Sequence, residues 1–259
     1  MDAGVPGSRL RFVGVGLGPG DPALLTVKAV RELQAADVVL VPQTERSRGG
    51  AGRAERIIGA ACPAARDRIR RVGFAMREPD GRDAARAAAA TAALTCFDEG
   101  ARVVVMATIG DPSVYSTFAY LAERVRDRRA DVRIEVVPGI TAMQAMAAAA
   151  VVPLVVGDQT LTLVPATAGL DTLAQALDSP GVTVAAYKGG RRLPEIRDLI
   201  ERRGRLDGAL VGTDVGLPSA RIERLADVDT SRRAPYFSTV LCPATDLAAQ
   251  GPAPDSADG

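Results

Sequence analysis

A chain of 259 residues is long enough to bury a sizeable core, as one large α/β domain or two smaller ones. It contains no histidine and no tryptophan, which excludes a Ser-His-Asp hydrolase and a His-ligated zinc enzyme. A formal net charge of +1 argues against nucleic acid as a bulk electrostatic partner.

Cys62, Cys96 and Cys242 are far apart and form no Cys-x-x-Cys, a pattern of reduced thiols in a cytoplasm. No apolar run reaches the length of a membrane span, and the polar start has no signal-peptide core. The expectation is a soluble cytoplasmic protein with no membrane partner.

In chain order, residues 1–8 read as a disordered lead-in. The first strand runs from Arg11 to Leu17 and enters Gly18-Pro19-Gly20-Asp21-Pro22. A helix follows from Leu24 to Ala35, with Leu25, Ala29, Val30 and Leu33 on one face. A second strand, Val38 to Val41, stops at Pro42. A polar loop then leads to a helix around Ala54 to Ala60.

Ile69 to Phe74 reads as an edge strand, and the alanine-rich stretch Ala84 to Asp98 as a helix. Val103 to Ala107 is an apolar, β-branched strand that breaks at Gly110-Asp111-Pro112. Pro112 suits the first turn of a helix, and Val114, Phe118 and Leu121 continue at helical spacing to Arg129. Val132 to Val137 is a strand ending in Pro138-Gly139-Ile140-Thr141, and Thr141 to Ala150 a small-residue helix. This alternation of strands and helices predicts a largely parallel sheet.

Val151 to Asp158 carries a proline, a glycine and no clear period, which places a domain boundary there. Beyond it the pattern restarts with strands at Leu161–Val164, Val182–Tyr187, Ala209–Thr213 and Tyr236–Cys242. Helices are expected at Asp171–Leu177 and Pro194–Arg202, and a turn with a short strand within Arg221–Asp229. The organisation is therefore α/β throughout, with an N-terminal domain over 9–150, a C-terminal domain over 158–245 and a disordered tail over 246–259.

Gly14 and Gly16 begin a G-x-G-x-x-G, the pattern of a dinucleotide site. Its sixth position is Pro19, which lacks the amide that would face a phosphate, and the second strand ends in Val41-Pro42 without the acid that would hold a ribose. Alone, the pattern describes a tight turn. Three strand ends carry unusual turns, however, at Gly18-Pro19-Gly20-Asp21, Gly110-Asp111-Pro112 and Pro138-Gly139-Ile140-Thr141. On parallel strands, all three converge on one edge of the sheet, where ligand troughs are built.

Together G-x-G-P-G-D-P-x-L-L-T, G-D-P-S-V-Y-S-T-F and V-P-G-I-T resemble the motifs of the tetrapyrrole (corrin and sirohaem) methyltransferases, in matching order from about Arg11 to Cys242. The resemblance implies two α/β domains, a mostly parallel N-terminal sheet and a mixed C-terminal one, with S-adenosylmethionine in the trough between them. It further implies a homodimer. The longer G-D-P-S-x-Y-S-T-F-x-Y-L string, with P-Y-F-S-T-V-L near the end, is most similar to the branch methylating precorrin-2 at C20 in cobalamin biosynthesis.

Carried over by motif, the resemblance assigns Pro19, Ile109, Gly110, Asp111, Val114, Thr141, Ala142, Tyr187, Lys188 and Gly216 to the cofactor. Relatives often carry serine at the position of Ala142 and an acidic Val-Glu-Arg or Val-Glu-Asn at Gly212-Thr213-Asp214. Loop arginines Arg46, Arg48, Arg53, Arg191 and Arg192 are candidates for the substrate's carboxylates, because arginine forks match carboxylate geometry.

Tyr115, beside the Gly-Asp-Pro turn, is a substrate-facing candidate ahead of Tyr120. Asp111, Tyr115 and water are the candidate acceptors for the proton lost from C20. A sulfonium methyl group is already activated, so neither a protein nucleophile nor a metal is expected. Two other readings stand beside this one: a methyltransferase for the cobalt-bearing substrate or another corrin carbon, and a nucleotide-binding oxidoreductase built on the glycine turn.

Overall fold

The computed structural model describes residues 10–43, 50–73, 79–230, 234–235 and 237–244. The expected lead-in, the tail from residue 246, Arg46, Arg48, Phe74 and Tyr236 lie outside the described residues.

The first half builds an all-parallel sheet from β1 (Leu10–Gly16), β2 (Val38–Gln43), β3 (Ile69–Gly73), β4 (Val103–Thr108) and β5 (Val132–Val137), in the order β3-β2-β4-β1-β5. Its central strands are apolar on both faces because helices cover both. Phe12, Leu40 and Met106 pack with α3 (Pro79–Asp98) and α4 (Phe118–Arg128) on one side. On the other, Val13, Val15, Val39 and Val41 pack with α1 (Val27–Ala35) and α2 (Arg53–Ala61). Each large side chain so buried contributes about 1.5–3 kcal/mol.

Helix α1 starts three residues later than the spacing predicts. Pro22–Leu24 closes a 3-10 turn capped by Asp21, and the Thr26 hydroxyl then caps α1 by accepting from the Ala29 amide at 3.1 Å. Helix α4 is also shorter, beginning at Phe118 and not at Pro112. Tyr115 adopts φ 48, a left-handed conformation that ends any helix passing through it.

The second sheet is mixed. It orders β6 (Thr160–Pro165), β7 (Val182–Tyr187), β10 (Thr239–Cys242), β8 (Leu210–Thr213) and β9 (Arg221–Arg224) as β6-β7-β10-β8-β9. β6 and β7 are parallel, whereas β10 runs antiparallel to both β7 and β8. The last strand starts at Thr239, later than expected, because Phe237 and Ser238 lie in a turn closed by the Ser238 amide on the Pro235 carbonyl. α6 (Leu170–Asp178) and α7 (Leu193–Glu201) bury one face, while α5 (Ala142–Ala150) packs Met143, Met146 and Ala147 against Ala185, Leu210 and Leu241 on the other.

The chain divides by packing after Thr141. The sequence places that division within Val151–Asp158, with α5 in the first half. The apolar face of α5 belongs instead to the second sheet.

Candidate active site

β1 lies between β4 and β5, so the turns leaving these three strands are neighbours. They pack backbone against backbone. The Gly110 amide donates to the Gly18 carbonyl at 2.8 Å, and the Leu17 amide to the Thr108 carbonyl at 2.9 Å. A Cβ on Gly139 would stand 2.3 Å from the Gly110 carbonyl oxygen, and one on Gly16 would stand 2.7 Å from the same atom. Gly110 itself has φ 75 and open space where a side chain would project. The three turns singled out in the sequence thus form one glycine-lined cradle whose middle presents bare backbone.

Asp111 holds this cradle together. Its Oδ1 accepts from the Ser113 amide at 2.7 Å and from the Ser113 hydroxyl, and its Oδ2 accepts from the Gly139 amide at 2.8 Å. Burial pushes the carboxyl's pKa up, but the Ser113 hydroxyl and the Gly139 and Ser113 amides more than offset this, leaving it below the ordinary carboxylate range. A buried, ionised carboxylate with both oxygens engaged is a strut between turns and a weak proton acceptor. The sequence singles out the Gly139 turn but does not pair it, or Ser113, with Asp111, although Asp-Pro-Ser is a recognisable side-chain-to-backbone turn signal.

Pro19 is buried in the turn after β1, Ile109 and Val114 flank the Gly110-Asp111 corner, and Thr141 is buried past Gly139. Tyr115 is 40% exposed on the same edge. Tyr120 is equally open, but the Arg86 guanidinium covers its ring, 4.0 Å from the centroid. The dinucleotide pattern loses its first glycine to packing: a Cβ on Gly14 would stand 2.6 Å from the ring of Phe118.

In the second unit, β7 and β8 are both antiparallel to β10, so their carboxyl ends share one edge of the sheet. That edge carries Tyr187 at the end of β7, Lys188 just beyond it and Gly216 in the turn after β8. Two non-glycine residues here are left-handed, Lys188 at φ 61 and Asp214 at φ 49, and Gly216 has φ 82. The Tyr187 hydroxyl accepts from the Met143 amide at 3.2 Å, fixing the first turn of α5 beside Ala142.

Among the arginines, Arg53 is the first residue of α2. Arg192 donates through Nε and a terminal nitrogen to Glu195, at 2.8 and 2.5 Å. Arg191 beside it is exposed.

A parallel sheet whose carboxyl-edge turns leave bare backbone, followed by a mixed sheet with strained strand ends, defines a two-unit α/β protein of the class that binds ligands outside the carboxyl ends of its strands. The model of the Tetrapyrrole (Corrin/Porphyrin) Methylases matches residues 11–229, and the chain belongs to that family. It is 36% identical over 242 residues to a precorrin-2 C(20)-methyltransferase of Sinorhizobium sp, covering 90% of this chain and 95% of that one. It is 32% identical over 225 residues to the cobalt-precorrin-2 C(20)-methyltransferase of Salmonella typhimurium, covering 86% and 92%.

Solved structures agree on the fold. A cobalt precorrin-4 methyltransferase superposes with a TM-score of 0.64 at 24% identity, over 92% of this chain and 97% of that one. The uroporphyrin-III C-methyl transferase of Thermus thermophilus, complexed with S-adenyl homocysteine, gives 0.59 at 25% identity, over 89% and 96%.

Proposed function

We propose that this chain is an S-adenosylmethionine-dependent C-methyltransferase that methylates precorrin-2 at C20 in cobalamin biosynthesis. The carrying observation is the cradle made by Gly16, Gly110 and Gly139 and tied by Asp111, in a chain 36% identical to a precorrin-2 C(20)-methyltransferase over 90% of its length. The cradle fits the donor because an added Cβ at Gly110 meets open space, so a ligand can approach the backbone itself. In the first unit Gly110, Ile109, Val114, Thr141 and Pro19 would hold it; the resemblance adds Ala142, Tyr187, Lys188 and Gly216 as cofactor residues of the chain's second unit.

When bound, S-adenosylmethionine supplies a methyl group already activated by its sulfonium. The chain's own contribution is alignment, which for two positioned reactants accounts for roughly 7–11 kcal/mol of a barrier. Both Asp111 oxygens are engaged by Ser113 and Gly139, so the proton from C20 is better assigned to water. The cobalt-bearing substrate is a second reading, favoured by the Salmonella typhimurium relative.

Labelled S-adenosylmethionine offered with precorrin-2, cobalt-precorrin-2 and later corrin intermediates, in excess chelator, tests these points together. Label in precorrin-2 is expected. Transfer only to the cobalt form supports the second reading, and failure to bind the donor sinks both. The resemblance adds a homodimer and the cysteine pattern a cytoplasmic location, which sedimentation of the purified chain and fractionation of cells would check.

A further inference from the structure

Among the described residues of the first unit, Tyr115 is the non-glycine residue held left-handed, at φ 48, on the carboxyl edge of the sheet. Tyrosine rarely adopts that conformation unless surrounding structure enforces it. The enforcement is visible one residue on. The Ser116 hydroxyl lies 3.2 Å from the Thr108 hydroxyl and accepts from the Phe118 amide at 3.1 Å. Thr108 is 9% exposed, and its carbonyl takes the Leu17 amide at 2.9 Å. The last residue of β4 therefore grips the turn after β1 with its carbonyl and the start of α4 with its hydroxyl.

We propose that Thr108 and Ser116 form a hydroxyl clamp that sets the Tyr115 phenol for the tetrapyrrole acceptor, making them positioning residues for substrate and not for the methyl donor. This rests on the methyltransferase reading above. Without the clamp, Pro112 and the helical spacing of Val114, Phe118 and Leu121 would let α4 wind back through Tyr115, as the sequence alone suggests. The clamp stops the helix at Phe118 and leaves Tyr115 40% exposed on the edge. An aromatic ring stacks on a conjugated macrocycle and its hydroxyl donates to a carboxylate, the two chemistries such a substrate offers.

Two readouts test the clamp. In methyl transfer, Thr108→Val and Ser116→Ala should each lower kcat about ten-fold or more, with affinity for S-adenosylhomocysteine unchanged and Thr108→Ser restoring the rate. Neither should cost anything further in a Tyr115→Ala background. In melting, Tyr115→Gly should raise the midpoint of the otherwise native chain by roughly 2 °C, and the gain should vanish once Thr108→Val and Ser116→Ala are both present. Multiplicative losses of rate, a parallel loss of donor affinity, or an equal melting gain in both backgrounds would overturn the clamp. If the native chain methylates no tetrapyrrole, the functional reading fails, and an unchanged melting gain would still overturn the clamp by itself.

Discussion

The Asp111 carboxylate accepts the Gly139 amide at 2.8 Å, joining the turn after β4 to the turn after β5 across the end of β1. Its carboxyl is held below its ordinary value near 3.8, so the folded state binds the proton less readily than the unfolded chain. The resulting stability is fully present above that value and is lost as pH falls through the lower, folded one. Asp111→Asn should cost about 1–3 kcal/mol at neutral pH by leaving one of these contacts unmade. It should also flatten the loss of stability below pH 3.8. Denaturant unfolding of both proteins between pH 7 and 3 checks this, and parallel curves would deny Asp111 the role of strut.

Gly139 should tolerate no side chain. A Cβ there would lie 2.3 Å from the Gly110 carbonyl oxygen and 2.8 Å from Gly16 Cα, both backbone atoms that cannot swing aside. Gly139→Ala should destabilise by roughly 1–3 kcal/mol, as overpacking does. It should also weaken S-adenosylhomocysteine binding more than ten-fold, because Gly110 must move. Calorimetric titration at a temperature where the variant remains folded separates the two effects, and normal binding there would show that the cradle does not face the donor.

Much of this architecture is legible in the sequence. The apolar runs of β1, β2 and β4 match strands buried on both faces, and their alternation with helices puts every strand-to-helix turn on one edge, so three odd turns come together there. The start of α4 was not legible. Pro112 and an i, i+4 pattern describe a helix equally well whether or not Thr108 and Ser116 intervene, and that contact spans strand and turn. Asp111 reads as a helix-turn residue, whereas its second oxygen serves Gly139, 28 positions away. The insertion of β10 between β7 and β8 is likewise a tertiary choice that no local period encodes.

Arg11 is a purely structural device at the opposite, amino end of the first sheet. Its guanidinium bonds Glu135 at 2.8 Å and Glu32 at 2.9 Å, and the Arg11 contact holds the Glu135 carboxyl below its ordinary value. Arg11→Met would strip Glu32 and Glu135 of their shared partner, leaving Glu135 only the exposed Arg133 at 3.2 Å, at a cost of about 1–3 kcal/mol at pH 7. A lowered carboxyl contributes stability above its unfolded value and loses it on acidification, so the penalty should shrink as pH falls below 4.5. Urea midpoints at pH 7 and pH 4 are the measurement. Donor binding should be unchanged at pH 7.

Arg191 and Arg192 looked equivalent as substrate-facing candidates, and the structure separates them. The Arg192 fork is spent on Glu195 within the first turn of α7, an i, i+3 pair. Arg191 is exposed one residue earlier, just beyond the carboxyl end of β7 that carries Tyr187 and Lys188. A polycarboxylate can recruit an exposed guanidinium directly, whereas recruiting Arg192 first requires breaking an existing ion pair. Arg191→Gln should therefore raise KM for precorrin-2 by roughly three- to ten-fold at low salt, fading toward 0.5 M as charges are screened. Arg192→Gln should change KM little, and its folding cost should stay within about 0.5 kcal/mol, as is usual for an exposed pair. Donor affinity should be unaffected by either. Steady-state kinetics of the two variants at 20 mM and 500 mM salt, with screening lengths of roughly 20 and 4 Å, decides it, and equal KM values for both at low salt would move the carboxylate contacts to Arg53 at the start of α2.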